Sequence, residues 1–145
     1  MIHNLDDTRA RRILAAVVRS RIAEPRVPTG WSPALGQALA GRFEVQPESP
    51  AVSEGELARQ SLLVLAEDPE MRRAIETMAA NWNAFRQKFD LDRTLGTTAA
   101  VLLVLQTRLK FARASDGKWS VKVEKKSTSD ALLKGLVQKL ISFAG

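Results

Sequence analysis

Apolar and polar positions along this chain follow two periods, and the change between them falls in the last third. From Asp6 to Ile22 the residues Ile13, Leu14, Val17, Val18 and Ile22 recur at helical spacing, with Arg9, Arg12 and Arg19 grouped on the opposite side. A first helix is predicted there, capped by Asp6 or Asp7 and stopped by Pro25. The arginine stripe reads as a solvated face; Arg21, inside the apolar arc, snorkels or pairs with an acid.

The pattern lapses between Glu24 and Ala51, which hold Pro25, Pro28, Pro33, Pro47 and Pro50 with Gly30, Gly36 and Gly41. Residues 24–51 are therefore a connector within one domain. Ser32-Pro33 is an N-cap and first position for a short helix to about Ala40, ended by Gly41. Arg42 to Gln46 alternates and predicts an edge strand with Phe43 and Val45 inward, and Trp31 is expected as a lid over the core.

Helical spacing then returns. Ser53 and Glu56 form a capping box with Val52 and Leu57 as hydrophobic staple, and the helix runs to about Ala66. Asp68-Pro69 caps and opens the next helix. On it, Met71, Ile75, Met78, Trp82, Phe85 and Phe89 are spaced four, three, four, three, four, a seam of coiled-coil type. The seam serves burial against the chain's own helices, with a partner-helix interface as the alternative. Asp90 and Asp92 lack the spacing of a calcium loop, and Asp92 or Thr94 caps the following helix.

That helix, residues 94–106, contains the most apolar run of the chain, Ala99 to Leu105 (AAVLLVL), and should lie at the centre of the core. Thr97, Thr98, Val101 and Val104 are weak helix formers, so a buried strand remains the competing reading. After it the period drops to two, in RLKFAR and WSVKVEK on either side of Ser115-Asp116-Gly117-Lys118. A two-residue turn at Asp116-Gly117 would set Phe111 against Lys122 and Leu109 against Glu124. A three-residue loop with Gly117 left-handed instead pairs Arg113 with Trp119, Phe111 with Val121 and Leu109 with Val123. The second register separates an apolar face from a basic one, Arg108, Lys110, Lys122 and Lys126 with Glu124 among them, and lets Arg113 lie over the Trp119 indole. Lys110 and Lys122 become direct neighbours, a small electrostatic cost that solvation or a bound anion relieves. A last helix, capped by Ser127 or Ser129, turns Leu132, Leu133, Leu136, Val137, Leu140 and Ile141 inward.

The predicted class is α+β and mainly helical: about five helices, with a C-terminal β-hairpin packed between the apolar helix 94–106 and the last helix. At 145 residues the chain is expected to form a single domain over 1–145.

Charge and composition narrow the chemistry. Of the net +6, all sits in residues 94–145, which carry nine Lys/Arg against three Asp/Glu. Such a bias concerns anionic partners rather than the fold. The chain has no cysteine and a single histidine, His3, so thiolate nucleophiles, sulfur-held zinc, histidine triads and histidine metal sites lack their parts. No phosphate-binding or dinucleotide motif occurs. No catalytic residue, metal site or cofactor is expected, and the chain does not read as an enzyme. Acids stand where a secretory signal would carry positive charge, and the longest apolar run is about a third of the roughly 20 residues that span a bilayer. A cytoplasmic protein without stable membrane insertion is expected.

The order of helices, apolar helix and basic hairpin is similar to a winged-helix arrangement, which implies nucleic-acid binding. Ala99 to Leu105 offers no polar side chain for base edges, so only phosphate contacts survive from that reading. The block GKWSVKVEKKSTSDALLKGLVQKL resembles C-terminal segments of small adaptor-like domains, of the effector-associated type, in bacterial defence and signalling systems. The resemblance covers the last third and carries no functional residue across. It implies an adaptor module that docks an acidic partner on the basic hairpin face (Arg108, Lys110, Lys122, Lys126) or a partner helix on the seam (Met71, Ile75, Met78, Trp82, Phe85), with self-association a further outcome.

Overall fold

The computed structural model of the protein describes residues 2–21, 32–46, 52–83, 97–123 and 130–144. Within them a 3-10 turn (Ile2–Asn4) precedes α1 (Asp7–Arg21), α2 (Pro33–Phe43), α3 (Glu54–Leu65), α4 (Pro69–Ala80) and α5 (Thr97–Gln106). The strands β1 (Leu109–Arg113) and β2 (Trp119–Val123) and the helix α6 (Asp130–Ala144) follow. The fold is α+β and mainly helical, its only sheet among the described residues being the two-stranded hairpin.

The helix starts are written in short polar side chains. Asp6 accepts the Arg9 amide at 2.8 Å, Ser32 that of Leu35 at 3.2 Å, Ser53 that of Glu56 at 3.1 Å and Asp68 that of Glu70 at 3.0 Å. Each bond satisfies an amide that the first helical turn leaves without an intrahelical acceptor. Val52 and Leu57, the predicted staple, are both buried in the core.

Helix α5 lies at the centre. All six residues from Ala100 to Leu105 are buried, and α1, α3, α6 and β1 pack around it. A ten-residue helix hides its own backbone polar groups whatever surrounds it, whereas a lone strand here would need sheet partners on both sides. The helical reading of this run therefore holds over the strand. Helices α1 and α3 share the most extensive contact in the described fold, and within it Gly55 leaves room for the Asp7 carboxylate where a Cβ would overlap it. Polar clasps tie the same crossing: Arg59 donates to Asp7 at 2.8 Å and to the Leu5 carbonyl at 3.0 Å. Arg11 and Thr97 both donate to Glu54, at 3.1 and 3.2 Å.

Three expectations change. Arg42 and Phe43 belong to α2, which passes through Gly41 and ends at Glu44 with φ 55° and ψ 49°, so the Arg42 to Gln46 strand does not form. The helix already buries what the strand was meant to bury: Phe43 packs on the core and Val45 is 6% exposed. Gly41 keeps helical backbone within α2 and sits on its exposed side, with nothing within 4 Å of where its Cβ would stand.

Secondly, the hairpin rests on α2, through β2, and on α5, while α6 gives its apolar face mainly to α3 and α2. Among the described residues the last helix makes at most slight contact with the hairpin. At the α3–α6 contact Gln60 Nε2 stands 3.1 Å from where a Cβ on Gly135 would lie, and Gln60 donates to the Leu132 carbonyl at 3.3 Å.

Thirdly, the seam is interrupted. α4 stops at Asn81 (φ −112°, ψ 41°), one residue before Trp82, so Met71 to Trp82 is not one continuous stripe. Phe85, Phe89, Trp31, the capping acids near Asp92, and Glu124 to Ser129 with Lys126 lie outside the described residues, as does the Arg21 side chain.

Candidate interaction surface

The hairpin forms in the three-residue-loop register, pairing Leu109 with Val123, Lys110 with Lys122, Phe111 with Val121, Ala112 with Ser120 and Arg113 with Trp119. The turn explains why. Gly117, at φ 87°, donates to the Ala114 carbonyl at 2.9 Å, Ala114 donates to the Lys118 carbonyl at 2.8 Å, and Asp116 accepts the Lys118 amide at 3.0 Å. The left-handed residue required at this loop position favours glycine, and the bulge it makes sets the strands in phase.

Two faces result. Inward, Leu109 is 1% and Val121 8% exposed, Phe111 and Trp119 are half-buried against the core, and Arg113 lies 5.7 Å from the Trp119 ring centroid. Outward stand Lys110, Ala112, Ser120 and Lys122, all exposed, with the Ser120 hydroxyl donating to the Ala112 carbonyl at 3.4 Å. Neither lysine has an acidic partner among the described residues. From Leu109 to Val123 the hairpin holds Lys110, Arg113, Lys118 and Lys122 against Asp116 alone. The small side chains of Ala112 and Ser120 stand beside Lys110 and Lys122 on the exposed side.

Arg108 is not part of that face. It belongs to the turn that joins α5 to β1, where Thr107 and Arg108 donate to the carbonyls of Val104 and Leu105, and it is only 6% exposed. Its guanidinium donates to the Thr107 hydroxyl at 2.9 Å, while its Nε has no hydrogen-bond partner. Burial lowers its pKa, and Asp68 and Glu67 act in the opposite sense. The alternating pattern of the sequence continues through Arg108 without a break, so the extra turn residue left no mark in it.

The seam is a packing surface where it is described. Ile75 is fully buried, and Met71, Met78 and Trp82 are half-buried against the core. Arg9 stands over the Trp82 ring at 5.6 Å and also faces Asp6 at 3.7 Å. A shallow hollow of about 410 Å³ on the outer side of α4 has Glu70, Arg73, Thr77 and Met78 in its wall, a mixed lining with no convergent set of groups. No cluster of three metal-ligating side chains occurs among the described residues, and no described helix is long and apolar enough to cross a membrane. In the helix before the hairpin the stretch Ala100 to Leu105 is buried throughout, so it offers no side chain to a nucleic-acid groove.

Comparison with known protein families, with curated proteins and with solved structures finds no match to this chain.

Proposed function

We propose that the protein is a non-enzymatic interaction module, an adaptor that holds an acidic partner protein on the outward face of its hairpin. The observation that carries this reading is the Lys110–Lys122 pair: two exposed ammonium groups in direct cross-strand register with no carboxylate of the described chain beside them. Like charges placed so cost a few tenths to about 1 kcal/mol, which an anionic partner would turn into attraction. The resemblance of the C-terminal block supports a setting in bacterial defence or signalling for such an adaptor, and the absence of cysteine is compatible with a reducing cytoplasm.

An acidic polypeptide such as polyglutamate and a short DNA duplex of similar charge are the two probes. Binding of polyglutamate should weaken roughly tenfold between about 50 and 300 mM salt, because an exposed charge pair is screened over a Debye length of about 10 Å or less. Lys110→Glu with Lys122→Glu should weaken it by a further tenfold or more, with an unchanged melting temperature. A duplex bound more tightly than the polypeptide, with an affinity that tracks phosphate number, would make the hairpin a nucleic-acid ridge and sink the adaptor reading.

A further inference from the structure

We infer that the outer edge of β1, at Phe111 and Arg113, takes up an extended acidic segment of the partner protein as a third strand. This rests on the hairpin being the binding surface and adds how the partner is held.

The phase of the ladder identifies the open groups. In an antiparallel pair, residues that exchange hydrogen bonds alternate with residues whose amide and carbonyl point away from the partner strand. The Ala114–Lys118 bond at the loop fixes that alternation. Ala112 then bonds with Ser120 and Lys110 with Lys122, while Leu109, Phe111 and Arg113 aim their N–H and C=O groups out of the β1 edge. Among the described residues the sheet has no third strand and no backbone bond reaches Phe111 or Arg113 from outside the hairpin.

Burial decides which edge is free. Strand β2 lies against α2, and Val121 is 8% exposed. On β1 the proximal Leu109 is covered, but exposure rises to half-buried at Phe111 and to exposed at Ala112, Arg113 and Ala114. Proteins commonly blunt such edges with proline, a bulge or an inward-pointing charge. The segment Phe111-Ala112-Arg113-Ala114 has no proline, pairs without a bulge as far as Arg113, and carries two methyl side chains that leave the main chain bare.

Charge selects the occupant. A second copy would bring two hairpins together, each with four basic residues and one acid. An acidic strand meets the opposite situation. Side chains directly across on an added strand lie about 5 Å away, so a carboxylate beside Lys110 forms a cross-strand ion pair. Its neighbours one residue along fall on the other face, beside Phe111, where apolar side chains extend the half-buried cluster. The matching segment therefore alternates acidic and β-branched residues.

Amide hydrogen exchange by NMR on the intact chain, with an end-blocked peptide of four Glu-Val repeats as probe, tests this. The Phe111 and Arg113 amides should gain at least tenfold protection on saturation while Ala112, already bonded within the hairpin, changes little. Methylating the peptide nitrogens of alternate residues should abolish binding in one phase and spare it in the other, since only one set of amides faces β1. Arg113→Pro, which removes an edge N–H and no ladder bond, should lose at least fivefold more affinity than Arg113→Ala. If both methylated peptides bind like the parent and Arg113→Pro equals Arg113→Ala, strand addition is wrong although Lys110→Glu with Lys122→Glu still weakens binding and the adaptor reading stands. Failure of the plain peptide to bind at all overturns the inference. So does protection of Phe111 that rises with protein concentration alone, because a second copy would then be the occupant.

Discussion

A buried guanidinium with one unsatisfied nitrogen is an unusual choice of core residue, and Arg108 shows how opposing terms balance. An orphan buried donor costs about 1–3 kcal/mol, whereas a cation just beyond a helix C-terminus is favourable by up to about 2 kcal/mol in a partly buried setting. Asp68 and Glu67 add attraction from the end of α3. The terms nearly cancel, so Arg108→Met, which keeps the volume, should change the unfolding free energy by less than about 1 kcal/mol. Arg108→Glu, placing a third negative charge beside two others, should cost at least about 3 kcal/mol. Urea denaturation separates the cases; a 3 kcal/mol loss in the methionine variant would show that the charge itself holds the α3 and α5 ends together. Gly55 is a residue of the opposite kind, needed for its missing side chain. Gly55→Ala must displace Asp7 from Arg59, and that loss should outweigh the helical preference for alanine, a net destabilisation of about 1–2 kcal/mol. The same chemical denaturation reads it, and Asp7→Ala in the Gly55→Ala background should cost little more, since the contact is already broken.

At the scale of the element, the hairpin was legible because two independent signals agreed. A glycine at the left-handed loop position and a pairing that keeps apolar residues on one face admit only one register, and a slip by one residue would expose Phe111 and Val121. Gly117→Ala should therefore cost about 1–2 kcal/mol from the left-handed backbone alone, with Gly117→Asn recovering much of it. A loss smaller than 0.5 kcal/mol, or a registry shift in the NMR ladder, would contradict the turn assignment. The helix caps at Asp6, Ser32, Ser53 and Asp68 were legible for a similar reason, since the hydrogen bond joins residues two or three apart in sequence. Features that depend on distant partners left no such trace. Arg42 to Gln46 fits both periods over so short a run, and only the core, which takes Phe43 from a helix, decides between them. Nothing near Arg108 in the sequence announces a turn, and nothing near Arg59 announces the Asp7 and Leu5 groups that it joins from more than fifty residues away.

For the whole molecule, an interior that is apolar among the described residues save for Ser61 and Arg108 stands against a hairpin whose Lys110 and Lys122 are exposed. Every described helix and strand contributes to one continuous hydrophobic cluster, with α5 at its middle. Lys110 and Lys122 are exposed beyond that cluster, so reversing them should weaken the proposed recognition without reaching the core. Coupling runs the other way. Leu102 is fully buried in α5, and Leu102→Ala should cost about 2–5 kcal/mol, depending on how far the surrounding helices close the cavity. At this chain length that amounts to a fall of roughly 6–20 °C in melting temperature. Because β1 continues from α5 and β2 leans on α2, the hairpin should melt in the same step as the helices. In a Trp31→Phe background, far-ultraviolet dichroism, which follows the helices, and the fluorescence of Trp82 and Trp119, which follows the α1–α4 side and the hairpin, should give coincident midpoints with and without Leu102→Ala. Separate midpoints would mean that the hairpin is an independently unfolding attachment. Its edge would then be presented by a floppy arm, and the loss of conformational entropy on binding would fall on the partner strand and the hairpin together.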